Sequence, residues 1–162
     1  MKDFNVQDYF SHDHDELDGF FRDFQSLKMT DFQAAQESFK KFRSGLQRHI
    51  AWEEQILFPL FEDLTGMKDM GPTAVMREEH RQIEAALEAI HAKVEHRDLD
   101  SAPQEAALME VLKFHNDKEE TILYPAIDHM VGEKDRLAAY ERMKHIPSDA
   151  SKTCCGHTPP NR

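Results

Sequence analysis

The sequence predicts an all-α protein, an antiparallel four-helix bundle built from two pseudo-symmetric helical hairpins, followed by a short C-terminal helix and a flexible tail. Glycine is scarce, at six residues, and prolines fall near segment boundaries, a composition that favours long helices over strands. Apolar residues recur at helical spacing along most of the chain. The second half also repeats the pattern of the first, which indicates two copies of one helical hairpin.

Five helices are expected from the apolar spacing and the capping signals. Thr30-Asp31-Phe32-Gln33 has the form of a capping box and predicts the start of the second helix. Gly71-Pro72 predicts the start of the third, because proline is tolerated in a first helical turn. The expected bounds are about 8–28, 30–65, 71–96, 101–123 and 133–144. We expect one domain over residues 1–146 and a flexible, Ser/Thr/Pro-rich tail over 147–162.

Composition excludes several classes of function. The 162 residues carry a net charge of −11, and no basic stripe is visible that would neutralise the phosphates of a nucleic acid. An acidic surface also disfavours attachment to an anionic membrane. No export signal follows Met1, so a cytoplasmic location is expected.

The two cysteines, Cys154 and Cys155, are adjacent and cannot staple the domain. They could bind a soft metal, serve as a redox handle, or be reduced and disordered.

The repeat carries the residues that matter most for function. A shift of 66 residues places His14 on His80, His49 on His115, and Glu53 on Glu119. Each half therefore has the pattern H-x34-H-x3-E. A helix rises about 1.5 Å per residue, so the two histidines of each hairpin reach similar heights on neighbouring helices. We expect two such hairpins to bring four imidazoles and two carboxylates together inside the bundle.

This donor set is typical of a dinuclear metal centre. Imidazole suits iron, zinc, copper and nickel, while a carboxylate can bridge two cations and offset their charge. Glu53 and Glu119 supply two negative charges, and a bridging oxide or hydroxide would remove most of the remaining positive charge of two divalent ions. Positions would stay open for an exogenous ligand. A structural zinc site would instead close itself with four ligands.

The motif H-x3-E-E-x-I-L-F/Y-P, repeated and paired with Asp13-His14 and Glu79-His80, resembles the hemerythrin-like (HHE cation-binding) domain family over about residues 8–130. The resemblance implies a four-helix bundle around two iron ions (Fe²⁺ or Fe³⁺) with an oxo or hydroxo bridge. It also implies that His14 and His49 hold one iron, that His80 and His115 hold the other, and that Glu53 and Glu119 bridge them.

Two departures separate this chain from the oxygen-carrying hemerythrins. Those proteins have a fifth histidine where this chain has Glu84, and they end the last motif with an aspartate five residues after its histidine, whereas Glu119 follows His115 by four. The departures resemble the branch linked to iron and oxygen sensing, nitric-oxide or peroxide chemistry and iron handling. Glu84 is accordingly expected to be a further metal ligand.

The roles of several neighbouring residues stay open. Asp18, the repeat mate of Glu84, is a weaker candidate ligand. Glu54 and Glu120 are either solvated or orient a neighbouring histidine. Phe58 and Tyr124 are expected in the core, with a Tyr124 hydroxyl that reaches the site as the alternative. Five further histidines are expected at the surface: His12, His91, His96, His129 and His145.

The prolines that follow each motif predict a break in the helix. Pro59 and Pro125 have no backbone N–H, so we expect each helix to kink or stop about one turn past its carboxylate.

We predict a non-haem di-iron protein that binds or senses a small ligand (oxygen, nitric oxide or peroxide) or iron. The alternatives are a di-iron enzyme that turns over peroxide or nitric oxide, a protein of iron-sulfur repair or iron handling, and a domain in which metal is only a structural staple. Whether the chain is an enzyme stays open, and its expected partner is a small diatomic or peroxide ligand. Because Glu84 would add a ligand beside His80 and His115, the iron at His14 and His49 is predicted to be the open one.

Overall fold

The computed structural model describes residues 3–147, which form helices joined by short connections, with no strand in that range. The predicted all-α fold is confirmed. Seven α-helices and two π-helical segments follow one another. The α-helices are α1 (Val6–Leu27), α2 (Phe32–Trp52), α3 (Phe58–Thr65), α4 (Pro72–Glu95), α5 (Ala102–Lys118), α6 (Tyr124–Met130) and α7 (Glu133–Met143). The π-helical segments are Glu53–Leu57 and Glu119–Leu123.

Side chains of the expected chemical types begin the first two helices. Asn5 caps α1 by accepting a hydrogen bond from the backbone N–H of Asp8 at 2.8 Å. Asp31 caps α2 by accepting from the N–H of Ala34 at 3.1 Å. The capping box was expected to begin at Thr30, but the Thr30 hydroxyl donates to the carbonyl of Leu27 instead. The Asp31 side chain, one residue later, therefore caps the start of α2.

Pro59 and Pro125 were expected to kink or stop each helix about one turn past its carboxylate, and the helices do not stop there. Each π-helical segment joins two α-helices without leaving helical backbone angles, so α2 continues into α3 and α5 into α6. A wider π turn forms just before each proline: the N–H of Phe58 donates to the carbonyl of Glu53, and that of Tyr124 to the carbonyl of Glu119. The turn before each proline is one residue wider, and the helix continues past a proline that would break a regular α-helix.

Two helical hairpins make up the bundle, as the repeat predicts. The first packs α1 against α2, and the second packs α4 against α5. The hairpins are tied together at one end, where the carboxylate of Asp128 on α6 accepts hydrogen bonds from the N–H groups of Val6 and Gln7 at 2.8 and 2.9 Å. The short helix α7 covers that end, and the Trp52 indole donates to the carbonyl of Met143.

The apolar core is divided into two clusters. One includes Phe10, Trp52, Phe58 and Tyr124, and the other includes Phe21, Phe42, Leu87 and Leu108. Along each of the four long helices, the histidine of the motif lies between residues of the first cluster and residues of the second. The polar site is therefore a layer inside the bundle with apolar packing above and below it, which excludes bulk water from the site.

Two further expectations concern the rest of the chain. Among residues 3–147, no helix combines the length and the apolar character needed to cross a membrane. The predicted tail from residue 148 onward, including Cys154 and Cys155, lies outside the described residues.

Candidate metal centre

Each of the four long helices brings one histidine to the polar layer. His14 comes from α1, His49 from α2, His80 from α4 and His115 from α5, and each is at most 5% exposed. Glu53 and Glu119, both fully buried, are the first residues of the two π-helical segments. The six residues of the repeated motif are thus brought together from both hairpins, although they are far apart in sequence.

The ligand atoms form two adjacent groups. In one group, single atoms of Glu53, His80, His115 and Glu119 all lie within 4.8 Å of one another. In the other, single atoms of His14, His49 and Glu119 do so. Glu119 belongs to both groups: Oε1 lies 2.8 Å from Nε2 of His115, and Oε2 lies 3.4 Å from Nε2 of His14.

Glu53 reaches both groups in the same way. Its Oε2 lies 3.1 Å from Nε2 of His80, and its Oε1 lies 3.7 Å from Nε2 of His49. The two carboxylates therefore span the groups with one oxygen on each side, which is the arrangement needed to bridge two cations.

The outer nitrogen of every site histidine meets a carboxylate. Nδ1 of His14 lies 2.7 Å from Glu120, and Nδ1 of His80 lies 2.9 Å from Glu54. A carboxylate can only accept, so each of these nitrogens donates its proton, and the Nε2 lone pair faces inward.

The other two histidines are oriented by a second carboxylate pair. Nδ1 of His49 lies 2.7 Å from Asp13, and Nδ1 of His115 lies 2.9 Å from Glu79. The shift of 66 residues that relates the histidines also relates Asp13 to Glu79. Ligating histidines in metalloproteins are typically held by such a carboxylate, which fixes the tautomer and the direction of the ring.

Several inward-facing atoms have no satisfactory partner without a cation. The Nε2 atoms of His14 and His49 face each other at 3.0 Å. If both rings are neutral and both Nδ1 atoms donate to carboxylates, two lone pairs would meet there, an unfavourable contact that a shared cation or a proton on one ring relieves. Among the described residues, Nε2 of His80, Oε2 of Glu53 and Oε1 of Glu119 are buried without any hydrogen-bond partner. Unsatisfied buried polar atoms are costly, so these residues fit a bound metal.

The Tyr124 hydroxyl, which the sequence left open, lies at the centre of the site. This fully buried side chain donates to Glu53 Oε1 at 2.6 Å or to Glu119 Oε2 at 2.9 Å. The same oxygen is 3.3 Å from Nε2 of His49 and 3.5 Å from Nε2 of His14. Its repeat mate, Phe58, stacks on the His80 ring with centroids 5.7 Å apart and has no hydroxyl. The pseudo-symmetry of the centre is broken here.

The π-helical segments leave the backbone carbonyls of Glu54 and Glu120 without a main-chain donor. In the π register the residue at each proline would donate to these two carbonyls, and proline has no N–H to give. Side chains take its place: Arg77 donates to the carbonyl of Glu54 at 3.3 Å, and Gln7 donates to that of Glu120 at 3.1 Å.

Without metal, the carboxylates hold protons on the histidines. Burial lowers the pKa of His14, but its interactions with Glu119 and Glu120 outweigh that effect and raise the pKa to about 9. Burial likewise lowers the pKa of His80, but its interactions with Glu53 and Glu54 outweigh that effect and raise the pKa to about 9. The pKa of Tyr124 is raised well above its ordinary value by burial and by the charges of Glu119 and Glu53. A metal that binds at these nitrogens must therefore displace their protons.

The sequence matches the family described as the hemerythrin HHE cation binding domain over residues 5–127. The chain belongs to this family. An uncharacterized hemerythrin-like protein of Schizosaccharomyces pombe is 26% identical over 159 residues, which cover 96% of this chain and 76% of that protein. No solved structure matches the chain significantly.

Two acidic residues predicted near this hemerythrin-family site lie outside the converging groups. The Glu84 carboxylate lies 3.4 Å from Nε of Arg81, and its side chain is 31% exposed. It belongs to neither group of candidate ligands among the described residues, and the prediction that it binds a metal remains for experiment. Asp18 is half-buried and lines a groove of about 610 Å³ between α1 and α5, together with His14, Lys113 and Glu120. This groove reaches the His14 side of the hemerythrin centre.

The other histidines within residues 3–147 belong to neither group of candidate ligands. His12, His96, His129 and His145 are exposed, in agreement with expectation. His91 is half-buried, stacks on Phe39 and lies near Glu88 and Glu95.

Sequence reasoning missed three participants in this hemerythrin-type site. Asp13 and Glu79 were noted as repeat mates but were given no role, although each directly precedes a motif histidine. Each one contacts the histidine of the neighbouring helix in its own hairpin. Tyr124 was expected mainly as core filling. The difference between tyrosine and phenylalanine at matched positions was the available signal.

Proposed function

We propose that the chain is a non-haem di-iron protein that binds or senses a small ligand such as oxygen, nitric oxide or peroxide. In this proposal His14 and His49 hold one iron, His80 and His115 hold the other, and Glu53 and Glu119 bridge them. The observation that supports it most is the set of four carboxylates on the four Nδ1 atoms, which turns every Nε2 inward. A structural role alone would not need four oriented imidazoles around two shared carboxylates.

The protein supplies orientation and charge. Glu53 and Glu119 place two negative charges between the cations, and the outer carboxylates increase the basicity of the imidazoles. The two apolar clusters on either side exclude water, so each interaction acts in a medium of low dielectric constant. Two bound irons would supply the redox and ligand-binding chemistry. A groove reaches the centre from outside at His14.

Metal analysis of the purified protein tests the first part of the proposal. We expect close to two irons per chain, and near-ultraviolet absorption of an oxygen-bridged ferric pair after oxidation. His49→Ala should lose much of the iron, because it removes one of two imidazoles from its group. His12→Ala is the matched control, since His12 is exposed and lies on the same helix as His14. One zinc per chain and no iron would contradict the di-iron proposal.

Addition of azide to the diferric protein tests the second part. An open coordination position should give a new visible charge-transfer band that saturates with azide concentration. The same preparation, mixed with peroxide or nitric oxide, distinguishes binding from turnover: a stoichiometric spectral change supports a binding or sensing protein, whereas sustained consumption would make it an enzyme. A diferric protein whose spectrum ignores azide, peroxide and nitric oxide would contradict small-ligand chemistry.

A further inference from the structure

We infer that Tyr124 is a metal ligand, through its phenol oxygen, of the ion held by His14 and His49. The inference rests on the proposed metal centre and goes beyond its six motif residues. The phenol oxygen has four neighbours, Nε2 of His14, Nε2 of His49, Oε1 of Glu53 and Oε2 of Glu119. These are the four atoms that the motif directs to one side of the centre.

The separations between these atoms match those of ligands around one ion. The phenol oxygen lies 2.6 and 2.9 Å from the two carboxylate oxygens and 3.3 and 3.5 Å from the two imidazole nitrogens. First-row metals hold nitrogen and oxygen ligands at about 2.0–2.2 Å, which places neighbouring ligands of an octahedral ion about 3 Å apart.

The four neighbours are also spaced as ligands of one ion. Nε2 of His14 lies 3.0 Å from Nε2 of His49 and 3.4 Å from Oε2 of Glu119. Nε2 of His49 lies 3.7 Å from Oε1 of Glu53. The phenol oxygen lies near all four, so the five atoms are spaced closely enough to bind one ion.

The packing of the ring holds the hydroxyl at the centre. The Tyr124 ring is fully buried and packs against Phe10, at 5.2 Å between centroids, and against His14, at 5.9 Å. Within the described residues, the four polar contacts of the hydroxyl are all with candidate metal ligands. Phe58 fills the equivalent position in the other half without any oxygen, so the second ion has no counterpart to this ligand.

Ligation by Tyr124 makes the two ions unequal. The ion at His14 and His49 would have five protein ligands, and the ion at His80 and His115 would have four, because Glu84 pairs with Arg81. An exogenous ligand would therefore bind at the His80 and His115 ion, the reverse of the assignment that the sequence favoured. The phenol binds as phenolate, and its proton is released to water as the metal enters.

The three tyrosines of the chain make the test direct, because Tyr9 and Tyr140 pack together away from the site. We expect the diferric protein to show a visible phenolate-to-iron band with resonance-enhanced tyrosine ring vibrations. Tyr124→Phe should lose both and keep its iron, and should fold, since Phe58 already occupies the matching position. Tyr9→Phe and Tyr140→Phe should keep both signals. A wild-type protein with two ferric ions and no such vibrations, or a Tyr124→Phe variant that retains them, would overturn the inference.

A second measurement separates this inference from the di-iron proposal. Co²⁺ added to the metal-free chain should give the ultraviolet difference spectrum of one phenolate, and Tyr124→Phe should show none and release about one proton fewer. If this holds while the natural metal proves not to be iron, the proposed function fails and Tyr124 remains a ligand. If two irons bind but no phenolate forms with iron or Co²⁺, the function stands and the inference fails.

Discussion

At the scale of single residues, the notable feature of the centre is that its outer contacts repeat as regularly as its inner ones. Asp13 and Glu79 are one repeat apart, and so are Glu54 and Glu120. The first pair orients a histidine within its own hairpin, whereas the second pair orients a histidine of the opposite hairpin. A metal bound at the centre would therefore depend on four carboxylates that do not touch it.

Substitution of an orienting carboxylate should weaken metal binding. Glu79→Gln replaces the charged partner of the His115 Nδ1 atom by a neutral one, and we expect about 10–100-fold weaker affinity for one of the two metals. Competition with a chelator would measure it.

Glu84→Gln, on the same helix, is the matched control. The Glu84 carboxylate pairs with Arg81 and belongs to neither ligand group. The metal affinity of the Glu84→Gln variant should therefore stay within about threefold of wild type. Loss of one metal from Glu84→Gln alone would show that Glu84 is a ligand after all.

At the scale of helices, close packing within the first hairpin depends on one glycine. An added Cβ at Gly45 on α2 would lie 2.5 Å from Cδ2 of Leu17 on α1, far closer than carbon atoms approach. Leu17 is buried three residues from His14, so the contact between the helices also sets the position of that histidine. Gly19 on α1, in contrast, has nothing within 4 Å of its missing Cβ.

Two alanine substitutions should separate helix propensity from packing. Gly19→Ala should stabilise the protein by about 0.5–1 kcal/mol, because alanine favours the helix and meets no neighbour. In Gly45→Ala the same gain is opposed by displacement of Leu17, and overpacking costs about 1–3 kcal/mol.

Urea unfolding of the two variants would compare them. We expect Gly45→Ala to be less stable than Gly19→Ala by at least about 1 kcal/mol. Equal stabilisation by both substitutions would mean that α1 and α2 do not approach each other closely at this point.

At the scale of the whole molecule, the polar layer joins the two hairpins and is the least favourable part of the interior without metal. Four imidazoles and two carboxylates replace apolar packing between the two core clusters. Burying them is costly unless their atoms are coordinated.

Removal of the metal should therefore lower the melting temperature. A ligand present at 1,000 times its Kd stabilises the folded state by about 4 kcal/mol per site. Differential scanning calorimetry of metal-loaded and metal-free protein would measure the difference, and hydrogen exchange should locate the added mobility in α1 and α4 around His14 and His80. Identical melting of the two forms would contradict a central metal site.

The stability of the metal-free protein should fall as pH rises. Burial lowers the pKa values of His14 and His80, but the surrounding carboxylates outweigh it, so both are raised from 6.5 to about 9. Between pH 6.5 and 9, the folded metal-free protein therefore binds more protons than the unfolded chain. Its stabilisation from these groups is complete below pH 6.5 and is lost as pH rises through 9.

In the metal-loaded protein these histidines are neutral ligands and contribute no such term. The difference in melting temperature between the metal-loaded and metal-free forms should therefore widen from pH 6.5 to 9. Melting curves at several pH values would measure it. A difference that narrows over this range would show that His14 and His80 are not protonated in the metal-free protein.

The sequence by itself determined the fold class, the two hairpins and the six residues that converge, since helical periodicity and an exact repeat specify which residues share a helix face and a height. Tertiary structure decided the rest. Whether a carboxylate one position from a ligand turns toward a neighbouring histidine, as Asp13 and Glu79 do, depends on how two helices are rotated against each other. The Tyr124 hydroxyl reaches the centre because a π turn and close packing direct it there, which spacing along the chain does not encode.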